Sequence, residues 1–335
     1  MRDAIGDREL IVLDGLGVRL QGTYHHPADR PSGEPAEPTN LDRIGVLFVN
    51  SLSMPRAASG DSAVRWAESI ARQGYPAFRI DLPGLGDSEG DSSTDLLDIV
   101  NAGGFASVAA DAANQLVERF GLSGVVFFGH CAGAVSALYA GAASSDCRGL
   151  ILLEPYFYVA RAERPRVRRR LSDWARSSRM GRLASNLYDR IRNFSSALRG
   201  SALPANANAQ LLARWKQVAS TGLPILLLKA PGIKAQGAKP RLGEFDYIDH
   251  VVKLAGRKES IAVEFVESAD HSFANREGRE AVEQLIVGWL AANFPLTDFE
   301  FGTERIAHLG DGENQDHSGK SQEAPADRFC ALEGR

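Results

Sequence analysis

Residues 129–133, GHCAG, follow the apolar run Gly124-Val125-Val126-Phe127-Phe128 and lead into the small-residue stretch AVSALYAGAA. A buried strand, a sharp turn carrying one nucleophile between two glycines, and a helix packed closely on that strand make a nucleophile elbow. The turn strains the backbone at its central residue and brings strand and helix too close for side chains at Gly129 and Gly133. The nucleophile here is the thiol of Cys131. Backbone N–H groups at the start of the following helix lie beside the sulfur and favour thiolate. A free cysteine is otherwise a small buried hydrophobe. The strand-to-helix context separates Cys131 from Cys147, just ahead of a strand and read as structural, and from Cys330 in a polar tail. Three cysteines without close spacing argue against disulfides or a zinc site and for a reducing cytoplasm.

The chain has 335 residues, 44% of them hydrophobic, and a net charge of -4, enough for one large core and with no bias towards nucleic acid. No apolar run approaches the ~18 residues of a membrane span. The start MRDAIGDREL carries acids where a secretory signal is basic and then apolar, so a soluble, unprocessed cytoplasmic protein is expected. Residues 301–335 are too polar for a core and are expected to be disordered.

Strands and helices alternate along the chain, which predicts an α/β fold with a mostly parallel sheet covered by helices on both faces. LIVLDGLGVRLQGTYHHP reads as an opening hairpin turning near Asp14 and Gly15. A Pro-rich exposed loop follows. Strands are expected over 44–50, 76–81, 124–128, 149–155, 224–230 and 261–268, and helices over 61–72, 104–120 and 279–292. Leu183, Leu187, Ile191, Phe194 and Leu198 recur at helical spacing, and Leu211, Leu212, Trp215 and Val218 suggest another helix.

Two further motifs strengthen a resemblance to α/β-hydrolases. DLPGLGDSEG, residues 81–90, looks like the glycine turn that follows the fourth strand in that fold, and ADHSF, residues 269–273, matches the loop that carries the catalytic histidine. His271 follows the last strand and precedes the last helix, in the chain order of nucleophile before base. His250, in an expected helix, is the competitor, and His130 is expected to point away from the nucleophile. More narrowly, the chain resembles the hydrolases associated with exosortase A and exopolysaccharide gene clusters, which share a glycine-flanked Cys elbow, a strand ending like LILLEPY and a D-H-[ST]-F loop. The resemblance implies a hydrolase core over 1–155 and 222–300 with a helical cap inserted at 156–221.

One departure from the fold's pattern is informative. Such hydrolases usually place an Asp just after the strand here read as PILLLKA, where it fixes the histidine tautomer and stabilises imidazolium. This chain has Ala230-Pro231-Gly232-Ile233-Lys234 instead. Glu154, at the end of GLILLEP, occupies an alternative acid position; Glu244 or Asp246 folding back from the loop is a second solution. A Cys-His dyad is a third, because a thiol needs less help than a hydroxyl. Asp270 adjoins His271 too closely in sequence to bond the far side of its ring easily.

The residue types imply an acyl hydrolase acting on an ester or thioester. His271 draws the proton from Cys131, and the thiolate forms an acyl-enzyme that is released to water or another nucleophile. Leu52 and Ala132 supply the oxyanion N–H groups, with Ser51 and Ser53 as possible hydroxyl donors. An acyltransferase or cyclase using the same acyl-enzyme, and a non-catalytic binding protein on this scaffold, are the alternatives. No cofactor or metal is implied. Residues 161–199 hold twelve arginines against Glu163, Asp173 and Asp189. That surface is either a set of solvated helix faces or a landing site for an anionic partner: an acyl group carried on coenzyme A or an acyl carrier protein, or an acidic polysaccharide.

Overall fold

The computed structural model describes residues 8–28, 43–50, 52, 54–91, 95–159, 203–230 and 245–296. Eight strands form one sheet: β1 (Arg8–Asp14), β2 (Arg19–His25), β3 (Ile44–Val49), β4 (Ala77–Ile80), β5 (Gly124–His130), β6 (Cys147–Leu153), β7 (Ile225–Lys229) and β8 (Ile261–Phe265), in the order β1-β2-β4-β3-β5-β6-β7-β8. β1 and β2 pair antiparallel, with Asp14 opposite Arg19, and β2 pairs antiparallel with β4. All remaining pairings are parallel. The hairpin turns where expected, its tight turn using Leu16 at φ 59° and Gly17 at φ 100°.

The chain runs outward from β3 to β4 and then crosses back to β5, so strand order reverses between β3 and β5. Open α/β sheets place their sites in the crevice beyond the strand ends at such a switch point. β3 is buried along its whole length and β5 everywhere except His130, as strands covered on both faces must be.

Helices α1 (Ser62–Arg72), α2 (Leu96–Asn101), α3 (Ala106–Phe120), α4 (Ala132–Ala143), α5 (Ala209–Ser220), α6 (Tyr247–Leu254) and α7 (Arg276–Asn293) complete the described fold. α1 and α7 share one apolar cluster with Phe48, Phe128 and Leu228, while α3, α4 and α5 share the other with Leu47, Phe127 and Leu227. The two faces of each central strand thus feed two cores. α3 stops at Gly121, whose φ of 61° is the left-handed cap the sequence position calls for. α2 is an element that the sequence reading does not contain.

α5 carries Leu211, Leu212, Trp215 and Val218 on its buried face and packs on α4, in the crossover from β6 to β7. Residues 160–202 of the stretch expected as a cap lie outside the described residues, as do the helix expected over Leu183 to Leu198, the arginine-rich segment and residues 301–335.

Candidate active site

Cys131 sits between β5 and α4 at φ 54° and ψ -115°, a conformation costly for any side chain and held here by its surroundings. Its N–H donates to the Leu153 carbonyl at 2.8 Å. The flanking glycines are required by contact. A Cβ on Gly133 would lie 2.5 Å from the Val49 carbonyl oxygen, and one on Gly129 would overlap the Gly133 carbonyl. The same closeness lays the start of α4 against the end of β3.

The loop leaving β3 is pinned by a buried carboxylate. Asp81, wholly inaccessible, accepts from the Arg56 N–H at 2.6 Å and from Asn50 Nδ2 at 3.3 Å, and pairs with the Arg56 guanidinium. Asn50 Nδ2 also donates to the Met54 carbonyl at 2.8 Å. Gly86 lies so close to Asp81 that a Cβ there would overlap its carboxylate, and Gly84, Gly86 and Gly90 all have positive φ. The glycine turn therefore serves to hold Asp81. Leu52, on the tethered loop, is at φ 28° and packs on the same cluster as Cys131. Ala132 is the first residue of α4, so its N–H is among those a helix leaves without an internal partner. Ser51 and Ser53 lie outside the described residues.

His271 is presented by a short, heavily bonded loop. Asp270 Oδ1 accepts from the Ser272 N–H at 3.0 Å and from its hydroxyl at 2.6 Å, and the Ser272 hydroxyl accepts from Ala274. Phe273, completely buried, anchors the turn. Asp270 is thus occupied in shaping the loop. His271 Nδ1 stands 3.4 Å from Glu154 Oε2, leaving the other ring nitrogen for Cys131. The hydrogen bond with the Cys131 side chain, followed by that with Glu154, pushes the imidazole up to about 10. The ring therefore favours its protonated form beside the sulfur.

Glu154 follows β6 at φ 50°. It accepts from Lys229 Nζ at 2.7 Å and from the Ala230 N–H at 2.6 Å. Burial raises its proton affinity, but the bonds from His271, Lys229 and Ala230 outweigh it and hold the carboxyl below the usual range. Of the described acids among those considered from sequence, Glu154 is the one brought to the histidine. Asp246 is placed elsewhere: its carboxylate accepts from the Asp249 N–H at 3.0 Å and caps α6. Its position just ahead of the apolar face of α6 is the signature of a cap. Glu244 lies outside the described residues.

His250, the competing histidine, is on α6 and packs 5.2 Å from the Phe245 ring. His130 stands against the histidine loop, and its Nε2 donates to the His271 carbonyl at 2.7 Å. Burial drives its pKa down to about 4, so it is a neutral donor at pH 7. This support role was not visible in the sequence, and neither was the Lys229 contact. The second follows from register alone: Leu153 pairs with Leu228, which sets Glu154 beside Lys229. Cys147 is buried, its thiol pushed up to about 12 by burial. Among the described residues, no group of three or more His, Cys, Asp or Glu is placed to hold a metal ion. No described helix is long and apolar enough to cross a membrane.

Residues 46–226 match the alpha/beta hydrolase fold family. The chain belongs to that family and is an enzyme of the hydrolase type. Similar solved structures include the Pyrococcus furiosus esterase Pf2001, with 12% identity, a TM-score of 0.55, and 87% of this chain and 94% of that one covered. TT1662 from Thermus thermophilus is 16% identical, with a TM-score of 0.52 and coverage of 87% and 100%. The esterase domain of a Rhodothermus marinus protein is 12% identical, with a TM-score of 0.50 and coverage of 85% and 99%. At these identities the likeness speaks for the fold. No curated protein matches in sequence.

Proposed function

We propose that the protein is an acyl hydrolase working on esters or thioesters through a covalent acyl-Cys131 intermediate. The observation that carries this reading is the His271 ring, whose Nδ1 faces the largely buried carboxylate of Glu154 at 3.4 Å while its bond with the Cys131 side chain raises its proton affinity. His271 takes the thiol proton, and the thiolate attacks the acyl carbonyl carbon. The oxyanion accepts from the N–H groups of Ala132 and Leu52. Collapse expels the alcohol or thiol leaving group, which takes the proton from His271. Water then loses a proton to His271 as it attacks the acyl-enzyme, and the departing sulfur leaves as thiolate. Glu154 holds the proton-bearing Nδ1 and stabilises imidazolium throughout.

The finer resemblance to exosortase A-associated hydrolases rests on GHCAG, LILLEPY and DHSF. A thiol exchanges with thioesters at little free-energy cost, so an acyl group delivered on coenzyme A or an acyl carrier protein is our preferred donor. The free thiols of Cys131 and Cys147 favour a cytoplasmic setting. We keep residues 156–221 as a cap insertion in this reading.

Mass spectrometry of the intact protein after incubation with a panel of acyl thioesters tests the proposal. A mass increase equal to the acyl group is expected, lost in Cys131→Ala and strongly slowed in His271→Ala. Turnover that survives Cys131→Ala, or a panel that leaves no adduct and no product, would overturn it. Release to water marks a hydrolase; release to an added amine, alcohol or thiol marks the acyltransferase or cyclase alternative. Absence of His271-dependent labelling would favour a binding protein.

A further inference from the structure

Beyond Glu154 the chain continues as Pro155, Tyr156, Phe157 and Tyr158. Phe157 turns into the core, fully buried and edge-on to Trp215 at 5.6 Å. The residues on either side of it lie together, with the rings of Tyr156 and Tyr158 5.2 Å apart. Tyr158 is 5.9 Å from Tyr247, Tyr247 is 4.8 Å from Phe245, and Phe245 is 5.2 Å from His250. These rings form one continuous wall reaching α6. Its first member joins the apolar cluster on which Cys131 packs. Burial first, and then the charge of the Cys131 sulfur, raises the pKa of both Tyr156 and Tyr158, as expected of phenols close to the nucleophile.

Three polar atoms of this wall are buried with no hydrogen-bond partner among the described residues: the hydroxyls of Tyr156 and Tyr247 and Nε2 of His250. Tyr156 as a whole is only 9% exposed. A buried hydroxyl left unbonded is costly, and phenylalanine would fill the same space without that penalty. By contrast, the hydroxyl of nearby Tyr139 donates to the Asn101 carbonyl at 2.9 Å. Among these tyrosines, Tyr156 and Tyr247 are the ones whose hydroxyls keep an unused donor and acceptor among the described residues.

We propose that the Tyr156 and Tyr247 hydroxyls recognise oxygen atoms on the acyl group. The substrate's acyl part is then a neutral frame bearing hydroxyl or keto oxygens, laid against Tyr158 and Phe245, instead of a plain alkyl chain. A phenol both donates and accepts, so it suits either kind of oxygen. Phenol and phenyl rings carry no charge at neutral pH and offer no counter-ion to a carboxylate. This inference rests on the acyl-Cys131 reading and names its substrate class.

The test uses N-methyl amides of paired acyl groups, phenylacetyl with its ring-hydroxylated isomers and hexanoyl with its hydroxy and keto isomers. Binding to Cys131→Ala is measured by calorimetry. At least one oxygenated amide should bind about tenfold more tightly than its parent. Tyr156→Phe or Tyr247→Phe, made in the same Cys131→Ala background, should erase that preference, so that the oxygenated amide binds no more tightly than its parent. A preference that survives both substitutions, or the lack of any preference, overturns the proposal. In the ligand-free protein, Tyr156→Phe should raise the melting temperature while Tyr139→Phe lowers it. A lowered value for Tyr156→Phe would mean that its hydroxyl is bonded within the fold, and the inference would fall. Because the amides are inert and Cys131 is absent, failure of the acyl-enzyme chemistry would show itself separately, in the wild-type adduct experiment.

Discussion

The backbone N–H of Ala230 donates to Glu154 Oε1 across 2.6 Å. Ala230 follows the end of β7, where hydrolases of this fold usually carry their acid, and here it grips an acid from the neighbouring strand. Lys229 holds the other oxygen at 2.7 Å, the same oxygen that faces His271 Nδ1 at 3.4 Å. The carboxylate is fixed by the sheet before the imidazole reaches it.

Glu154→Gln should therefore keep the fold and lower kcat/KM about a hundredfold, since the ring loses both orientation and a counter-charge. Asp246→Asn should leave kcat/KM within about twofold. Asp246→Ala, by removing the cap of α6, should cost about 1 kcal/mol of stability. Steady-state kinetics and urea titrations separate the two acids. Equal losses of activity at both positions would remove Glu154 from its assigned role.

Stability should depend on pH with opposite signs at the two site histidines. His271, ordinarily near 6.5 and raised to about 10, gives stability that is complete below 6.5 and fades as the pH climbs through 10. His130 is lowered from 6.5 to about 4 by burial, so the unfolded chain takes up a proton first and stability falls as the pH drops from 6.5 towards 4. His25, buried and lowered to about 3, acts in the same direction. Urea midpoints measured across pH should show a flatter acid limb in His130→Gln and a flatter alkaline limb in His271→Gln, each compared with wild type.

The strain at Cys131 can be weighed with two inactive variants. Glycine tolerates φ 54° and ψ -115° where alanine does not, so Cys131→Gly should be more stable than Cys131→Ala by about 1 kcal/mol. In an unstrained position the ordering reverses. Thermal denaturation of the pair decides the matter.

Asp81→Asn leaves the largely buried Arg56 guanidinium without its nearest charge, Asp87 being the remaining partner at 2.7 Å. A loss of about 3 kcal/mol is expected. The loop bearing Leu52 should loosen as well, lowering kcat more than it raises KM.

The elbow was legible because strand, glycine pair and small-residue helix each leave a separate mark on the sequence, and they agree. The hairpin, the parallel strands and the left-handed stop at Gly121 were readable for the same reason. α2 was not: it is six residues long, too short for a periodic pattern to emerge. The place of Glu154 beside His271 was one of several open solutions, because sequence order does not say which strand ends are neighbours. The bond from His130 to the His271 carbonyl was invisible for a related cause. A residue next to a nucleophile can face either way, and a contact to backbone requires no particular partner type.

Housing the acid just past the end of β6 has a consequence for how such a protein can change. On the proposed mechanism, the connection after Ala230 owes nothing to proton transfer. Insertions, deletions and exchanges there leave the acid where it is, so that segment can diverge, generation after generation, while the reaction itself is inherited intact.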